Sequence, residues 1–142
     1  MAKINIKKCL GLDIVDTGYD EFIDLIVKRL ESNMPSNIMS INLTALKRYN
    51  SEFQFFVEKF DFTTADGKGF VIFSRFIGDK IKNHLSIPRL CEKLIDNFSL
   101  SGKKIFLLGA EEKVNRIAID KLKNRYEKIK ISGHHGYFDI NE

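Results

Sequence analysis

The chain of 142 residues carries a formal net charge of +4, with 44% apolar and 30% charged residues. This composition is typical of a globular domain and excludes a disordered chain. Two cysteines are too few for a disulfide scaffold, no apolar run approaches the ~18 residues of a membrane span, and the lysines are scattered. We therefore expect a single cytoplasmic domain over residues 1–142, with reduced thiols and no nucleic-acid partner.

Apolar residues at helical spacing predict helices over 20–31, 43–59, 70–77, from 86 to about 98, and over 111–126. The second of these breaks near residue 50, where Ser51 is the predicted cap. Short apolar runs predict strands over 37–41, 60–64, 104–108 and 129–132. The alternation favours an α/β fold, Rossmann-like, with a mostly parallel sheet and helices on both faces. Ligands in such sheets bind outside the carboxyl ends of the strands.

Polar side chains follow two of the predicted strands. Asp66 leaves a buried strand before two glycines, and could act as a general base or cap the next helix. Ser40 and Asn42 stand at the end of the neighbouring strand, where they could donate hydrogen bonds to a substrate or cap the helix that follows. The spacing alone leaves both alternatives open.

Gly109 ends the clearest strand, as in the first turn of a nucleotide-binding βα unit. The full G-x-G-x-x-G pattern is absent, and Glu111 and Glu112 occupy the helix N-terminus where a phosphate would bind. We therefore predict a tight turn at Gly109 without a phosphate on that helix. This disfavours a Rossmann dehydrogenase.

The last predicted strand opens into two histidines and two aromatic residues. His134 and His135 are adjacent, so on an extended segment they are expected to point to opposite sides. Because no Cys/His spacing supplies further ligands, we predict no metal site and no cofactor. Tyr137 and Phe138 could offer a flat face to a nucleobase or simply close the core.

Five short segments, in order between about residues 11 and 139, resemble the WecG/TagA/CpsF glycosyltransferase family. They are Ser40-Ile41-Asn42, Thr64-Ala65-Asp66-Gly67-Lys68-Gly69, Arg75-Phe76-Ile77-Gly78, Ile105-Phe106-Leu107-Leu108-Gly109 and Gly133-His134-His135-Gly136-Tyr137-Phe138. The resemblance implies inverting transfer of an N-acetylmannosamine-type sugar or related hexose from a UDP donor, without a metal. The implied acceptor is a saccharide on polyprenyl diphosphate, used for surface polysaccharide at the inner face of the plasma membrane, where peripheral association is expected.

The resemblance also implies residue roles. Asp66 matches the family's proposed catalytic base, Asn42 matches an asparagine in the same pocket, and Ser40 stands where the family often has threonine. The residues that the resemblance assigns to nucleotide binding are Gly109, Gly133, His135, Gly136 and Tyr137. The resemblance thus favours a base over a cap at Asp66.

Two departures separate the chain from the family pattern. The stretch His84-Leu85-Ser86-Ile87-Pro88-Arg89-Leu90 replaces an Arg-x-x-Gly-x-Asp-Leu motif. Family members also continue beyond the position of Glu142, so we expect the C-terminal part of the family core to be missing here. This leaves three expectations open: a truncated enzyme, a non-catalytic nucleotide-sugar-binding module, and a degenerate remnant. A homo-oligomer or a complementing chain is expected as partner.

Overall fold

A computed structural model describes residues 4–139. The chain folds as two compact units, Met1–Cys91 and Glu92–Glu142. The fold is mixed α/β with parallel strand pairs and alternating helices, which confirms the predicted fold class. Within residues 4–139, no helix is both long and apolar enough to cross a membrane.

The elements follow the predicted order. In the first unit they are β1 Ile6–Cys9, β2 Leu12–Val15, α1 Tyr19–Glu31, β3 Ile38–Ile41, a 3₁₀ helix Ala45–Arg48, α2 Ser51–Val57, β4 Phe62–Ala65 and α3 Lys68–Phe76. The remaining elements are α4 Ile87–Ser101, β5 Lys104–Leu108, α5 Glu112–Arg125 and β6 Lys130–His134. Each predicted helix and strand is present within a few residues of its predicted bounds.

The structure adds a hairpin that the sequence patterns do not predict. β1 and β2 pair antiparallel, with Ile6 opposite Val15 and Cys9 opposite Leu12. Leu10 and Gly11 form the turn with φ values of 53° and 78°, the left-handed pair that a two-residue hairpin loop needs. Leucine is rare at such a position, which is why no turn was predicted there.

The first unit is built on a four-stranded sheet in the order β1-β2-β4-β3. β4 pairs parallel with β2 on one side and with β3 on the other. All four residues of β4 are buried, as expected of a strand in the middle of a parallel sheet. The carboxyl ends of β2, β4 and β3 therefore meet at one edge, which we call the carboxyl edge.

The cap of α2 differs from the prediction. Asn50, and not Ser51, is the N-cap, because its side chain accepts a hydrogen bond from Phe53 N at 2.8 Å. Asn50 has an extended backbone, with φ −153° and ψ −179°, whereas Ser51 is the first helical residue. An N-cap residue has this non-helical conformation, so the cap lies one residue earlier than predicted.

The second unit contains a two-stranded parallel sheet of β5 and β6. Lys104 stands opposite Lys130 and Leu108 opposite His134, so β6 continues two residues beyond its predicted end at residue 132. α5 connects the two strands and packs against both of them. The predicted strand was two residues too short, because Gly133 and His134 complete the pairing with Leu107 and Leu108.

Both cysteines are free thiols. Burial raises the pKa of the Cys9 thiol to about 12, with the nearby Asp79 carboxylate adding to the effect. Burial also raises the pKa of Cys91. Thiolate is the reactive form, so neither environment activates a nucleophile.

Candidate functional site

The carboxyl edge brings together polar residues from three strands. Asp16 follows β2, Asp66 follows β4 and Asn42 follows β3. Asp66 N donates to Ile41 O at 2.9 Å, so the pairing of β4 with β3 extends one step beyond the strands. Adjacent strands lie about 4.8 Å apart, which places Asp66 and Asn42 as neighbours. The register of β3 and β4 thus brings Asp66 and Asn42 together.

Asp66 does not cap α3 in the structure. The N-cap residue of α3 is Gly67, with φ 85° and ψ 150°, and no side chain forms a capping hydrogen bond there. This backbone region is essentially restricted to glycine. The Asp66 side chain is half-buried, and among residues 4–139 its carboxylate makes no hydrogen bond or ion pair. Within the described residues, this carboxylate is therefore unbonded at the edge of the sheet where α/β proteins commonly bind ligands.

Unlike Asp66, Ser40 and Asn42 have side chains that bond to neighbouring residues. Ser40 Oγ accepts a hydrogen bond from Thr64 Oγ1 at 3.2 Å, across the β3–β4 pair. Asn42 Oδ1 accepts from Ala45 N at 2.9 Å, in the turn that precedes the 3₁₀ helix, whose N-cap residue is Thr44. The amide NH₂ of Asn42 has no partner within the described part of the chain, so it can still donate to a ligand.

Asp16 was not singled out from the sequence, yet it is the most highly connected side chain at the carboxyl edge. Its Oδ1 accepts from Lys82 N at 2.9 Å and Asn83 N at 2.7 Å, and its Oδ2 lies 2.7 Å from Lys7 Nζ. Burial opposes ionisation of Asp16, but the Lys7 ammonium and these N–H donors outweigh it and lower its pKa. A strand followed by aspartate, the same signal as at Asp66, could have identified it.

The lowered pKa of Asp16 predicts a pH-dependent contribution to stability. A carboxylate with a lowered folded-state pKa stabilises the fold above its unfolded pKa of about 3.9 and loses that contribution as pH falls toward the folded value. We expect Asp16→Asn to reduce the free energy of unfolding at pH 7 by about 1–3 kcal/mol, since a buried charge-assisted network is broken. Urea unfolding should show this difference from wild type shrinking below about pH 4. A constant difference from pH 7 to pH 3 would contradict the assignment.

In the second unit, two turns are joined at the carboxyl ends of β5 and β6. Gly109 N donates to His134 O at 3.0 Å, and Gly136 N donates to Ala110 O at 2.9 Å. Asn115, which is buried on α5, reaches the same place: its Nδ2 lies 3.1 Å from Gly109 O and 3.0 Å from His134 O. Asn115 was not predicted, because its role depends on carbonyl groups of both strands.

Two of the predicted nucleotide-binding glycines have a packing role. A Cβ on Gly133 would lie 2.4 Å from Leu107 O, and one on Gly136 would lie 3.0 Å from Gly109 Cα. Gly109 has φ 131° with open space around it, so its constraint is conformational. These contacts explain the glycines without a ligand, and a nucleotide role for them stays a prediction.

The sequence predicts that the two histidines point to opposite sides, but in the structure they do not. Their rings are stacked, with centroids 4.2 Å apart and planes tilted by 32°. The prediction is wrong because β6 ends at His134 and the chain turns at His135, whose Nδ1 accepts from Tyr137 N at 3.2 Å. Within residues 4–139, no group of three or more His, Cys, Asp or Glu side chains could hold a metal ion.

The aromatic residues after this turn do not close the core. Tyr137 is 76% exposed, and Phe138 is 44% exposed with its ring edge-to-face against His134 at 5.4 Å. Phe138 and His134 also line an open pocket with Phe106, Leu108 and Asp139. The second unit thus presents aromatic and apolar side chains beside the carboxyl ends of its strands.

The parallel strands, with Asp66 and Asn42 at their carboxyl edge, place the chain in the class of α/β proteins. Comparison with known proteins goes further: the model of the glycosyl transferase WecG/TagA/CpsF family matches residues 7–142, and the chain belongs to this family. The resemblance stated from the motifs is thereby confirmed.

Curated relatives include the N-acetylglucosaminyldiphosphoundecaprenol N-acetyl-beta-D-mannosaminyltransferases of Staphylococcus aureus strains MRSA252 and NCTC 8325. Each is 25% identical to this chain over 145 residues, which cover 99% of this chain and 56% of the relative. The chain thus spans about half the length of these relatives.

Proposed function

We propose that this chain acts in the inverting transfer of an N-acetylmannosamine-type sugar from a UDP donor to N-acetylglucosamine on a polyprenyl diphosphate. The names of the staphylococcal relatives support the sugar and the acceptor. The observation that carries the proposal is the half-buried Asp66 carboxylate, unbonded within residues 4–139, at the carboxyl edge of the parallel sheet. With a polyprenyl-linked acceptor, the chain works at the inner face of the plasma membrane.

Asp66 is the general base of this proposal. Its carboxylate removes the proton from the acceptor hydroxyl as that oxygen attacks the anomeric carbon of the donor. The bond between the anomeric carbon and the diphosphate oxygen breaks on the opposite side, so the configuration inverts and UDP leaves. The Asn42 amide and the Ser40 hydroxyl lie on the neighbouring strand, where they can donate hydrogen bonds to the sugars.

The second unit is the proposed source of nucleotide contacts. The exposed Tyr137 ring offers a face on which uracil can stack, and aromatic stacking of this kind contributes about 1–3 kcal/mol per base. His135 Nδ1 accepts from Tyr137 N, which fixes the turn that carries this ring. The two carboxylates at the start of α5 repel a phosphate at that helix, which disfavours the dinucleotide-binding mode of a Rossmann dehydrogenase.

Nucleotide selectivity gives the first test. Ligands that bind only the native state stabilise it, by about 2.7 kcal/mol at a hundredfold excess over Kd. We therefore expect millimolar UDP to raise the melting temperature by several degrees, and AMP or NAD to raise it much less. Tyr137→Ala is the matched variant, and it should reduce the UDP effect without lowering the melting temperature of the free protein, since Tyr137 is mostly exposed. A folded chain whose melting temperature does not respond to UDP would count against the proposal.

A second candidate function is a non-catalytic nucleotide-sugar-binding module. The observation in its favour is the replaced motif, in which His84, Ile87 and Arg89 stand where the family pattern has arginine, glycine and aspartate. Such a module would bind UDP-sugar but would not transfer the sugar. Binding without turnover distinguishes it from the enzyme.

A further inference from the structure

The segment between α3 and α4, residues 79–86, contains no helix or strand, but seven of its eight backbone N–H groups donate hydrogen bonds. We call it the strap. The N–H groups at its start donate to Ser74: those of Asp79 and Lys80 to Ser74 O at 2.9 and 3.3 Å, and that of Ile81 to Ser74 Oγ at 3.1 Å. The next two, of Lys82 and Asn83, donate to Asp16 Oδ1 at 2.9 and 2.7 Å. At its end, Leu85 N donates to Ala65 O at 2.8 Å and Ser86 N to the Tyr19 hydroxyl at 2.7 Å. These bonds must open before the segment can move.

His84 is the exception within the strap. In the part of the chain that the structure describes, its N–H and its imidazole make no hydrogen bond. Its neighbour Leu85 is 1% exposed and donates to Ala65 O, the carbonyl directly before Asp66. The strap is therefore bonded to the end of β4 through Leu85, the residue after His84, and the carbonyl that accepts this bond belongs to the residue before Asp66.

Asp16 accepts several of the hydrogen bonds that hold the strap. Its side chain is 0% exposed, and besides the two backbone N–H groups its Oδ1 accepts from Asn83 Nδ2 at 3.1 Å. Lys7, which pairs with Asp16, also donates to the strap through Lys80 O at 3.0 Å. Burying a carboxylate carries a large desolvation cost that apolar packing would avoid, so such a group is a candidate for a role beyond stability.

We propose that Asp16 is a positioning residue, which fixes the strap across the carboxyl edge so that His84 forms one wall of the site next to Asp66. The proposal rests on the proposed function, because the wall serves the substrate that Asp66 deprotonates. Asp16 itself touches no reacting group. Its effect passes through the backbone of residues 82–85. Asp16 accepts hydrogen bonds from the N–H groups of Lys82 and Asn83, and the N–H group of Leu85 donates to the carbonyl of the residue before Asp66.

The test compares Asp16→Asn with a matched control at the other end of β4. Asp61, just before β4, also accepts a backbone N–H, from Asn37 at 2.8 Å, and also pairs with a cation, Arg29 at 3.3 Å. Asp61→Asn thus removes the same kinds of contact far from the carboxyl edge. Amide hydrogen exchange over residues 79–86 and steady-state transfer from UDP-N-acetylmannosamine to an N-acetylglucosaminyl diphospholipid are measured on the full chain.

We expect Asp16→Asn to speed exchange at residues 82, 83 and 85 and to lower kcat/KM by about tenfold to a hundredfold, since displacements near 1 Å have effects of that size. The loss should fall mainly on KM for the acceptor rather than on kcat. Asp61→Asn should leave the exchange of the strap and kcat/KM within about twofold of wild type. If Asp16→Asn does not fold, Lys7→Gln weakens the same attachment from a partly exposed side chain and should lower kcat/KM by about threefold to tenfold.

Three results would overturn the proposal. Unchanged exchange in Asp16→Asn would mean that Asp16 does not hold the strap. Faster exchange with unchanged kcat/KM, or an equal loss in Asp61→Asn, would mean that its role is structural only. A wild-type chain that binds UDP but transfers nothing would remove the proposed function and the positioning role together, whereas loss of the positioning role alone leaves wild-type transfer intact.

Discussion

Asp66→Asn is expected to reduce sugar transfer by about 10²- to 10⁴-fold, the usual contribution of a general base. Asparagine has the size of aspartate but cannot take the proton from the acceptor hydroxyl. Among residues 4–139 the Asp66 carboxylate makes no bond that the substitution would break, so the free energy of unfolding should change by less than about 0.5 kcal/mol. Turnover with a saturating UDP-sugar and acceptor, together with the melting temperature, measures both effects.

Asp61→Asn is a suitable control for Asp66→Asn, because Asp61 lies at the opposite end of β4. It should retain turnover near the wild-type level. UDP binding should be alike in all three proteins, which separates a loss of chemistry from a loss of donor binding. Turnover that survives Asp66→Asn within a few fold would remove Asp66 from the role of base.

Gly133→Ala is expected to have the largest effect on stability. The added Cβ would lie 2.4 Å from Leu107 O and 2.9 Å from Asn115 Oδ1. Leu107 belongs to the strand that pairs with β6, so relief requires a shift of the paired backbone. We expect a loss of about 3 kcal/mol in the free energy of unfolding, at the upper end of overpacking effects. Urea unfolding followed by circular dichroism measures it.

Gly69→Ala is the matched control for Gly133→Ala. Its Cβ would lie 3.7 Å from Leu43 Cδ2, an ordinary contact, and Gly69 lies within α3. Because alanine favours a helix over glycine by about 1 kcal/mol, this variant should be as stable as wild type or more stable. Equal stability of wild type and Gly133→Ala would show that the close packing of Gly133 against β5 is not present in solution.

Local patterns account for most of the fold. The apolar spacing in α1 and α5 and the short runs of β4 and β5 identify elements without any knowledge of their partners. The same holds for the carboxyl edge, because parallel strands end together and Asp66 and Asn42 directly follow such strands. The β1–β2 hairpin was not predicted, since its turn places Leu10 at φ 53°, a conformation leucine seldom adopts.

The parts that could not be predicted depend on residues far apart in the chain. Asp16 binds Lys82 and Asn83, which lie 66 and 67 residues away, and no local spacing reports such a contact. Gly133 was interpreted as a ligand-binding glycine, which stays a prediction; its contact with Leu107 O, which explains why no side chain fits there, could not be predicted. Sequence spacing identifies where a strand ends, but contacts across the sheet decide what each residue at that end does.

The most direct test of the proposed function is the reaction itself. The purified chain is incubated with UDP-N-acetylmannosamine and an N-acetylglucosaminyl diphospholipid, and the products are followed by mass spectrometry and NMR. We predict a lipid-linked disaccharide with one added N-acetylmannosamine, inverted at its anomeric carbon, and one UDP released for each disaccharide. A folded chain that binds UDP but forms no disaccharide, or that releases UDP only by hydrolysis of the donor, would contradict the account.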